Sequence, residues 1–357
     1  MNKSKVLLKN TLLFSIGSIG SKFLQFLLLP FYTNVLSKEQ YGTIDLIQNI
    51  AMLLVPIVSL TIFDAVFRYA MDKTSDNKDV FSVGIYISIL GFIFMSLIAS
   101  PLFLLKIYDQ YVWLIVFYSF SNILRTTVSQ FTKAIGETKL FTIDNMLQTA
   151  LILLLNIIFL SVFHLGINGY IIGYIMGNFI SAFFVFIYLK LWKYLKYKNI
   201  NKAILKSMLI FSIPLIPNTI CWWISTFADR FMVTNLISAE ANGIYAISYK
   251  VPSILVIVVG VFLQAWQISA NEEFADAGRD KFYTDIFNYL QAFTFVVSSI
   301  LILSAKMITS IMVSKEFYVS WEYMPCLLLG ITFFTFGQFL GSVYTANKKT
   351  FMAFITN

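Results

Sequence analysis

Residues 10–70 read NTLLFSIGSIGSKFLQFLLLPFYTNVLSKEQYGTIDLIQNIAMLLVPIVSLTIFDAVFRYA. Two mostly apolar runs, 11–36 and 43–66, are separated by one short polar stretch, Ser37 to Gly42. At 1.5 Å of rise per helical residue, each run is long enough to cross a hydrocarbon core about 30 Å thick. The stretch therefore predicts two membrane-spanning helices joined by a tight polar turn.

The rest of the chain repeats this alternation. Of its 357 residues, 58% are hydrophobic and 12% charged, with a mean hydropathy of +0.78. A soluble globule is nearer to half apolar and a quarter charged, so that class is excluded. Further spans are predicted over 80–105, 111–132, 141–163, 167–190, 207–229, 243–268, 285–304 and 321–345, making ten in all. The tail NKKTFMAFITN reads as a loop that enters an eleventh span, so the sequence is expected to be incomplete. The N-terminus, MNKSKVLLKN, is basic, but the apolar run after it is too long for a signal-peptide core and lacks an A-x-A-like cleavage site. It reads as a retained first span.

A net charge of +8 does not point to nucleic acid here. Lys and Arg in a membrane protein report topology through the positive-inside rule. With the N-terminus in the cytoplasm, nineteen of them fall on inner segments and five on outer ones. The six lysines of the stretch KLWKYLKYKNINKAILK, residues 190–206, form the largest inner group. Cys221, Cys326 and the single histidine, His164, supply neither a disulfide framework nor a zinc site, and no cofactor motif is present.

A weak internal repeat organises the chain. LKNTLLFSI from Leu8 returns as LKSMLIFSI from Leu205, and LSKEQYGTI from Leu36 returns as LISAEANGI from Leu236. The offsets are 197 and about 201 residues. Six spans per copy make the copies parallel, a transporter plan with its substrate site between the halves. The predicted fold is thus all-α and polytopic: two parallel six-helix repeats, 1–200 and an incomplete 201–357, around a central cavity.

Polar groups are costly in hydrocarbon and usually face a bundle interior or an aqueous cavity. Four spans carry such groups in helical stripes: Ser15, Ser18, Lys22 and Gln25; Asn122, Thr126, Ser129 and Lys133; Asn218, Trp222, Ser225 and Asp229; and Lys250, Ser253, Gly260, Gln264 and Gln267. The neutral residues serve equally well to join helices. Lys22 lies mid-span with no carboxylate three or four residues away, which favours a cavity. Lys250 can face a cavity or snorkel outward. Arg68 follows Asp64 by four residues, so an ion pair within the helix and a role in binding are both open. Asp229 and Arg230 point about 100° apart on a helix and need different partners. Gly169, Gly173 and Gly177, at four-residue spacing, predict a close helix approach. There is no Walker motif and no nucleophile beside a base.

The segments KFLQFLLLPFYT from Lys22, LSKEQYGTIDL from Leu36, FDAVFRYA from Phe63 and STFADRFMV from Ser225 resemble those of polysaccharide biosynthesis flippases. These are the Wzx-type transporters of the multidrug/oligosaccharidyl-lipid/polysaccharide exporter superfamily. The resemblance implies a non-enzymatic, multi-pass protein of the bacterial plasma membrane. Its cargo would be an undecaprenyl-pyrophosphate-linked oligosaccharide for capsule, O-antigen or other surface polysaccharide, moved by alternating access. Membrane lipids, a polysaccharide polymerase and a chain-length regulator would be its partners. Lys22, Gln25, Arg68, Asn122, Asn218, Arg230, Lys250 and Gln264 are then the cavity residues, because cations lower the cost of burying a pyrophosphate. Asp64 or Asp229 would bind the coupling ion, and no metal site is implied. The alternatives are a multidrug/cation antiporter of the same superfamily, which would show an anionic cavity, and a membrane enzyme of polysaccharide assembly, which would show a large outer loop.

Overall fold

Backbone amides cannot be left unpaired in hydrocarbon, so a chain this apolar has only helices or a closed barrel open to it. A computed structural model describes residues 26–72, 75–104, 111–196, 200–272 and 279–346, and among them every regular element is a helix. In order these are α1 Leu29–Val35, α2 Lys38–Val58, α3 Ile62–Ala70, α4 Asn77–Leu104, α5 Val112–Ala134, α6 Thr138–Ile157, α7 Gly166–Tyr188, α8 Lys202–Ser212, α9 Leu215–Leu236, α10 Ala239–Ser248, α11 Lys250–Glu272, α12 Arg279–Met312 and α13 Met324–Ala346. Short helical turns lie between some of them; Ile158–Val162 extends α6 as a π-turn.

Seven of the described helices, with α8–α9 taken as one 35-residue span, are long and apolar enough to cross a membrane. The pair Ala239–Ser248 and Lys250–Gly260, bent by 42°, makes an eighth if it is one span. The expected fourth span, α5, has the length but too many polar residues to pass the same test. It is the central helix of its bundle, packed by α2, α3, α4 and α7, and its polar side chains are met there. Thr127 Oγ1 lies 3.3 Å from Ser88 Oγ on α4, for example. Most of the first expected span, and the eleventh, fall outside the described residues.

One expected span is corrected. The run 43–66 is not a single helix: α2 ends at Val58, and Leu60 and Thr61 take φ values of 53° and 48° before α3 begins. Non-glycine residues rarely enter this left-handed region. Here Thr61 is fully buried and its hydroxyl donates to the Ser212 carbonyl at 2.7 Å, which holds the break in place. Asp64 and Arg68 therefore sit on a separate nine-residue helix.

The described residues fall into two compact units that divide after Gly243. In the first, Val66, Phe81 and Phe131 are fully buried, with the two rings 4.6 Å apart. In the second, Trp266 stacks on Phe339 at 4.5 Å, and Ser298 pairs with Thr332 at 2.7 Å. Lipid tails are as apolar as leucine, so close packing and hydrogen bonds, rather than water exclusion, hold such bundles together. The glycine stripe of α7 shows the consequence. A methyl group on Gly173 would stand 2.0 Å from Asn156 Oδ1, and one on Gly177 2.5 Å from the Ile152 side chain. His164 is an exposed loop residue.

Candidate functional site

The first turn of α2 is built to meet another helix. Ser37 Oγ accepts from the Gln40 amide at 3.2 Å while Gln40 Oε1 accepts from the Ser37 amide at 3.1 Å, a capping box that fixes where the helix starts. Gly42 follows one turn later. A Cβ placed there would lie 1.9 Å from the Ala239 carbonyl oxygen, and one placed on Gly243 would lie 2.0 Å from the Lys38 carbonyl oxygen. The starts of α2 and α10 thus cross backbone to backbone, which only glycine permits.

This crossing is reciprocal in sequence as well as in space. Gly42 and Gly243 are 201 positions apart, and so are Lys38 and Ala239, whose carbonyls they meet. That is the offset between LSKEQYGTI and LISAEANGI. The two copies of the motif meet each other around a local two-fold relation.

Polar groups surround the crossing. Asn242 Nδ2 donates to the Gly42 carbonyl at 2.9 Å, and at the exposed rim Lys38 Nζ pairs with Glu240 Oε1 at 3.2 Å. One turn further into α2, Asp45 accepts from Arg230 Nη1 of α9 at 2.6 Å, from Asn49 Nδ2 at 3.0 Å and from Asn242 Nδ2 at 3.4 Å. The pair is enclosed, with 9% of the Arg230 side chain and 11% of the Asp45 side chain exposed. Trp223, two turns before Arg230 on the same face of α9, donates its indole N–H to the Asn49 carbonyl at 2.9 Å. Asp45 escaped the sequence reading, although an unmatched acid inside the apolar part of LSKEQYGTIDL, with Asn49 four residues on, is a signal of the kind sought elsewhere.

A second buried polar cluster joins α5, α6 and α7. Arg125 Nη2 donates to Asp144 Oδ2 at 3.0 Å and to Asn145 Oδ1 at 2.6 Å, and Ser181 donates to the other Asp144 oxygen. On the same three helices, Gln148 Nε2 donates to Asn178 Oδ1 at 2.6 Å and Asn178 Nδ2 donates to Ser121 Oγ at 3.2 Å. Beside it, Tyr32, Tyr170, Tyr174 and Tyr118 form a row with ring centroids 5.1, 5.5 and 5.8 Å apart. Asn156 donates to the Tyr32 hydroxyl and Gln48 to that of Tyr118.

At the edge of the bundle, the basic stretch between the sequence copies is clasped to α4. Lys196 Nζ lies 2.7 Å from Asp76 Oδ2 and 2.9 Å from Asp79 Oδ2, and the Lys196 amide donates to Ser82 Oγ at 2.7 Å. The hydrogen bond from Lys196 holds the Asp76 carboxyl below its usual range. The same bond is the main cause that holds the Lys196 ammonium above its own.

The residues singled out in the sequence are placed as follows. Lys22 and Gln25 lie outside the described residues, as does the side chain of Gln264, whose backbone belongs to α11. Arg230 is buried against Asp45, while the Asp229 carboxylate accepts from the Arg230 amide at 2.8 Å. Asn218, Trp222 and Ser225 are exposed on the opposite face of α9. Asn122 accepts from Thr126 at 3.2 Å. Arg68 is exposed and Asp64 half-buried, with no ion pair between them among the described residues. Lys250 is exposed at the bend between α10 and α11. No cluster of three or more metal-ligating side chains occurs among the described residues.

Comparison with known proteins gives a consistent picture. Residues 7–267 match the family described as "Polysaccharide biosynthesis protein". A Haemophilus influenzae protein of the Lsg locus is 26% identical over 279 residues, which is 76% of this chain and 67% of the relative. Among solved structures, an inward-facing multidrug resistance MATE family transporter of the MOP superfamily superposes with a TM-score of 0.73 at 12% identity, over 94% of this chain and 83% of that one. The MATE multidrug transporter DinF-BH gives 0.68 at 15% identity, over 99% and 85%. These likenesses show the fold: a multi-pass helical membrane protein of the MATE type.

Proposed function

Because the chain belongs to the polysaccharide biosynthesis protein family, we propose that it exports an undecaprenyl-pyrophosphate-linked oligosaccharide across the bacterial plasma membrane. The repeat unit would serve capsule, O-antigen or other surface polysaccharide. The observation that carries this reading is the family match over residues 7–267 of a chain with a transporter fold. It is supported by Lys22, a cation that the sequence places mid-span, since a pyrophosphate needs charge-assisted partners once it leaves water. Lys22, Arg68 and Lys250 are the proposed contacts, with Gln25, Asn122, Asn218 and Gln264 for the sugar. The protein acts as a carrier rather than an enzyme, beside a polymerase and a chain-length regulator.

The excess of Lys and Arg on one set of loops supports a cytoplasmic N-terminus. The Gly42–Gly243 crossing then lies toward the outer face, with the Asp45–Arg230 pair just beneath it. In this reading the crossing joins the two sequence repeats, 1–200 and the incomplete 201–357, at the outer face. Asp64 and Asp229 are the proposed coupling acids.

The test is export in a cell whose own flippase is deleted. Surface polysaccharide and the lipid-linked intermediate are measured for wild type and Lys22→Ala at equal membrane levels. Restoration by wild type and loss in the variant support the reading. Failure of wild type to restore export, together with efflux of a cationic dye, overturns it in favour of the antiporter.

A further inference from the structure

An open groove of about 510 Å³ runs along one side of α8, where Leu205 and Leu209 also touch the core of the bundle. The packed face of the helix is fixed by Met208 and Ser212, both fully buried, and by the bond from Thr61 to the Ser212 carbonyl. The groove has a strict order along the helix. Lys202 and Lys206, four residues apart and therefore on one face, stand at its head. Leu205, Leu209, Ile210, Ile213 and Pro214 make the rest of it, with no charged group among them. From Lys206 to Ile213 the helix rises about 10 Å, which separates a polar head from an apolar floor.

The two lysines are also uncommitted. Among the described residues no carboxylate lies within 4.0 Å of either, whereas Lys196 a few residues earlier is held by Asp76 and Asp79. Topology alone asks only for basic residues somewhere in an inner segment. It does not ask for two at helical spacing over an apolar groove. A phospholipid has the complementary order: a phosphodiester at the membrane surface and acyl chains directly beneath it. Basic pockets at this level of a membrane protein recognise anionic head groups.

We infer that the α8 groove is a binding site for an anionic phospholipid, with Lys202 and Lys206 on the phosphate and the Leu205–Leu209–Ile213 surface along an acyl chain. The assignment of the site to the cytoplasmic leaflet rests on the orientation proposed above; the binding itself does not. A lipid held there would brace the start of the α8–α9 span, which otherwise leaves the bundle surface with Ile210 and Ile213 exposed.

The experiment is native mass spectrometry of the purified full chain, released from micelles that hold equal amounts of phosphatidylglycerol and phosphatidylcholine. It is independent of any transport assay, so its failure and that of the export reading are distinguishable. Wild type is expected to retain phosphatidylglycerol preferentially. At about fivefold per lysine, the Lys202→Ala/Lys206→Ala chain is expected to lose on the order of twentyfold of that retention, and Lys202→Arg/Lys206→Arg to keep it. Lys193→Ala/Lys281→Ala removes the same charge away from the groove and is expected to change retention less than about twofold. Equal retention of both lipids overturns the inference, as does an equal loss in the control chain. So does lysine-dependent capture of an added isoprenyl pyrophosphate that phosphatidylglycerol fails to displace, which would make the groove a cargo site.

Discussion

Gly42 and Gly243 are 201 residues apart in sequence and in backbone contact in space, each set against the carbonyl of the residue four positions before the other. A weak sequence repeat and a helix crossing are independent kinds of observation, and here they select the same two glycines. A side chain at either position requires the helices to part. Gly42→Ala and Gly243→Ala are therefore expected to destabilise the protein by about 1–3 kcal/mol each, the usual cost of forced overpacking. Gly330→Ala, also within a helix but with open space around it, is the control. It is expected to be neutral or slightly stabilising. Thermal unfolding in a single detergent measures all three, and equal shifts would show that the crossing is not tight.

The Asp45–Arg230 pair makes a second claim on the same region. Removing one partner of an enclosed ion pair strands the other, at a cost of about 3–5 kcal/mol, whereas replacing both with apolar residues of similar size is often neutral. Asp45→Leu and Arg230→Met are each expected to be strongly destabilising, and the double variant much less so than their sum. A double-mutant cycle on unfolding temperature reads the difference. Additive losses would mean that Arg230 has another partner of equal weight.

Acid and base should loosen the Lys196 clasp from opposite directions. The Asp76 carboxyl is held below its ordinary value, so what it contributes is present above about pH 3.9 and is lost as pH falls through the folded-state value. Lys196 is held above its ordinary value, so its contribution is present below about pH 10.4 and is lost as pH rises further. Between those limits no change is expected. Hydrogen exchange over residues 191–196 is the readout, and protection should fall below about pH 4 and under high salt. In Asp76→Asn the acid limb should flatten, and a limb unchanged in that variant would assign it to another group.

Much of the fold was legible because apolar runs of 20 or more residues have few structural options, and most span boundaries fall within a few residues of the predicted ones. What escaped has physical reasons. The break at Leu60–Thr61 depends on a hydrogen bond to Ser212, a partner 151 positions away that no local pattern announces. The length of α5 was readable, but not that it forms the centre of a bundle, which is what makes its polar content tolerable. Of the polar candidates, Arg230 is conspicuous in sequence beside Asp229, but its partner Asp45 is not. A single acid such as Asp45, three residues into a predicted span, has no local pattern that names its partner 185 positions away. Asn242 lies inside the repeat, whose spacing says nothing of the bond that its side chain makes to the Gly42 carbonyl.

Whether the α2–α10 crossing opens during transport is decided by tying it shut. Lys38 and Glu240 face each other across the rim at 3.2 Å and are exposed enough to accept a reagent. The native Cys221 and Cys326 are also exposed, so they must first be changed to serine. In that background, Lys38→Cys/Glu240→Cys is expected to be joined by a short reducible bis-thiol reagent, as a mobility shift on gels after protease cleavage between the two positions. Each single cysteine controls for labelling alone. If the crossing is the outer closure of an alternating-access cycle, linkage abolishes export of the lipid-linked sugar and reduction restores it. Linkage in high yield with export undiminished would make the crossing a fixed hinge, and the moving surface would then lie elsewhere. Because the link acts at the rim, away from the buried Asp45–Arg230 pair, its effect reports on motion and not on damage to that pair.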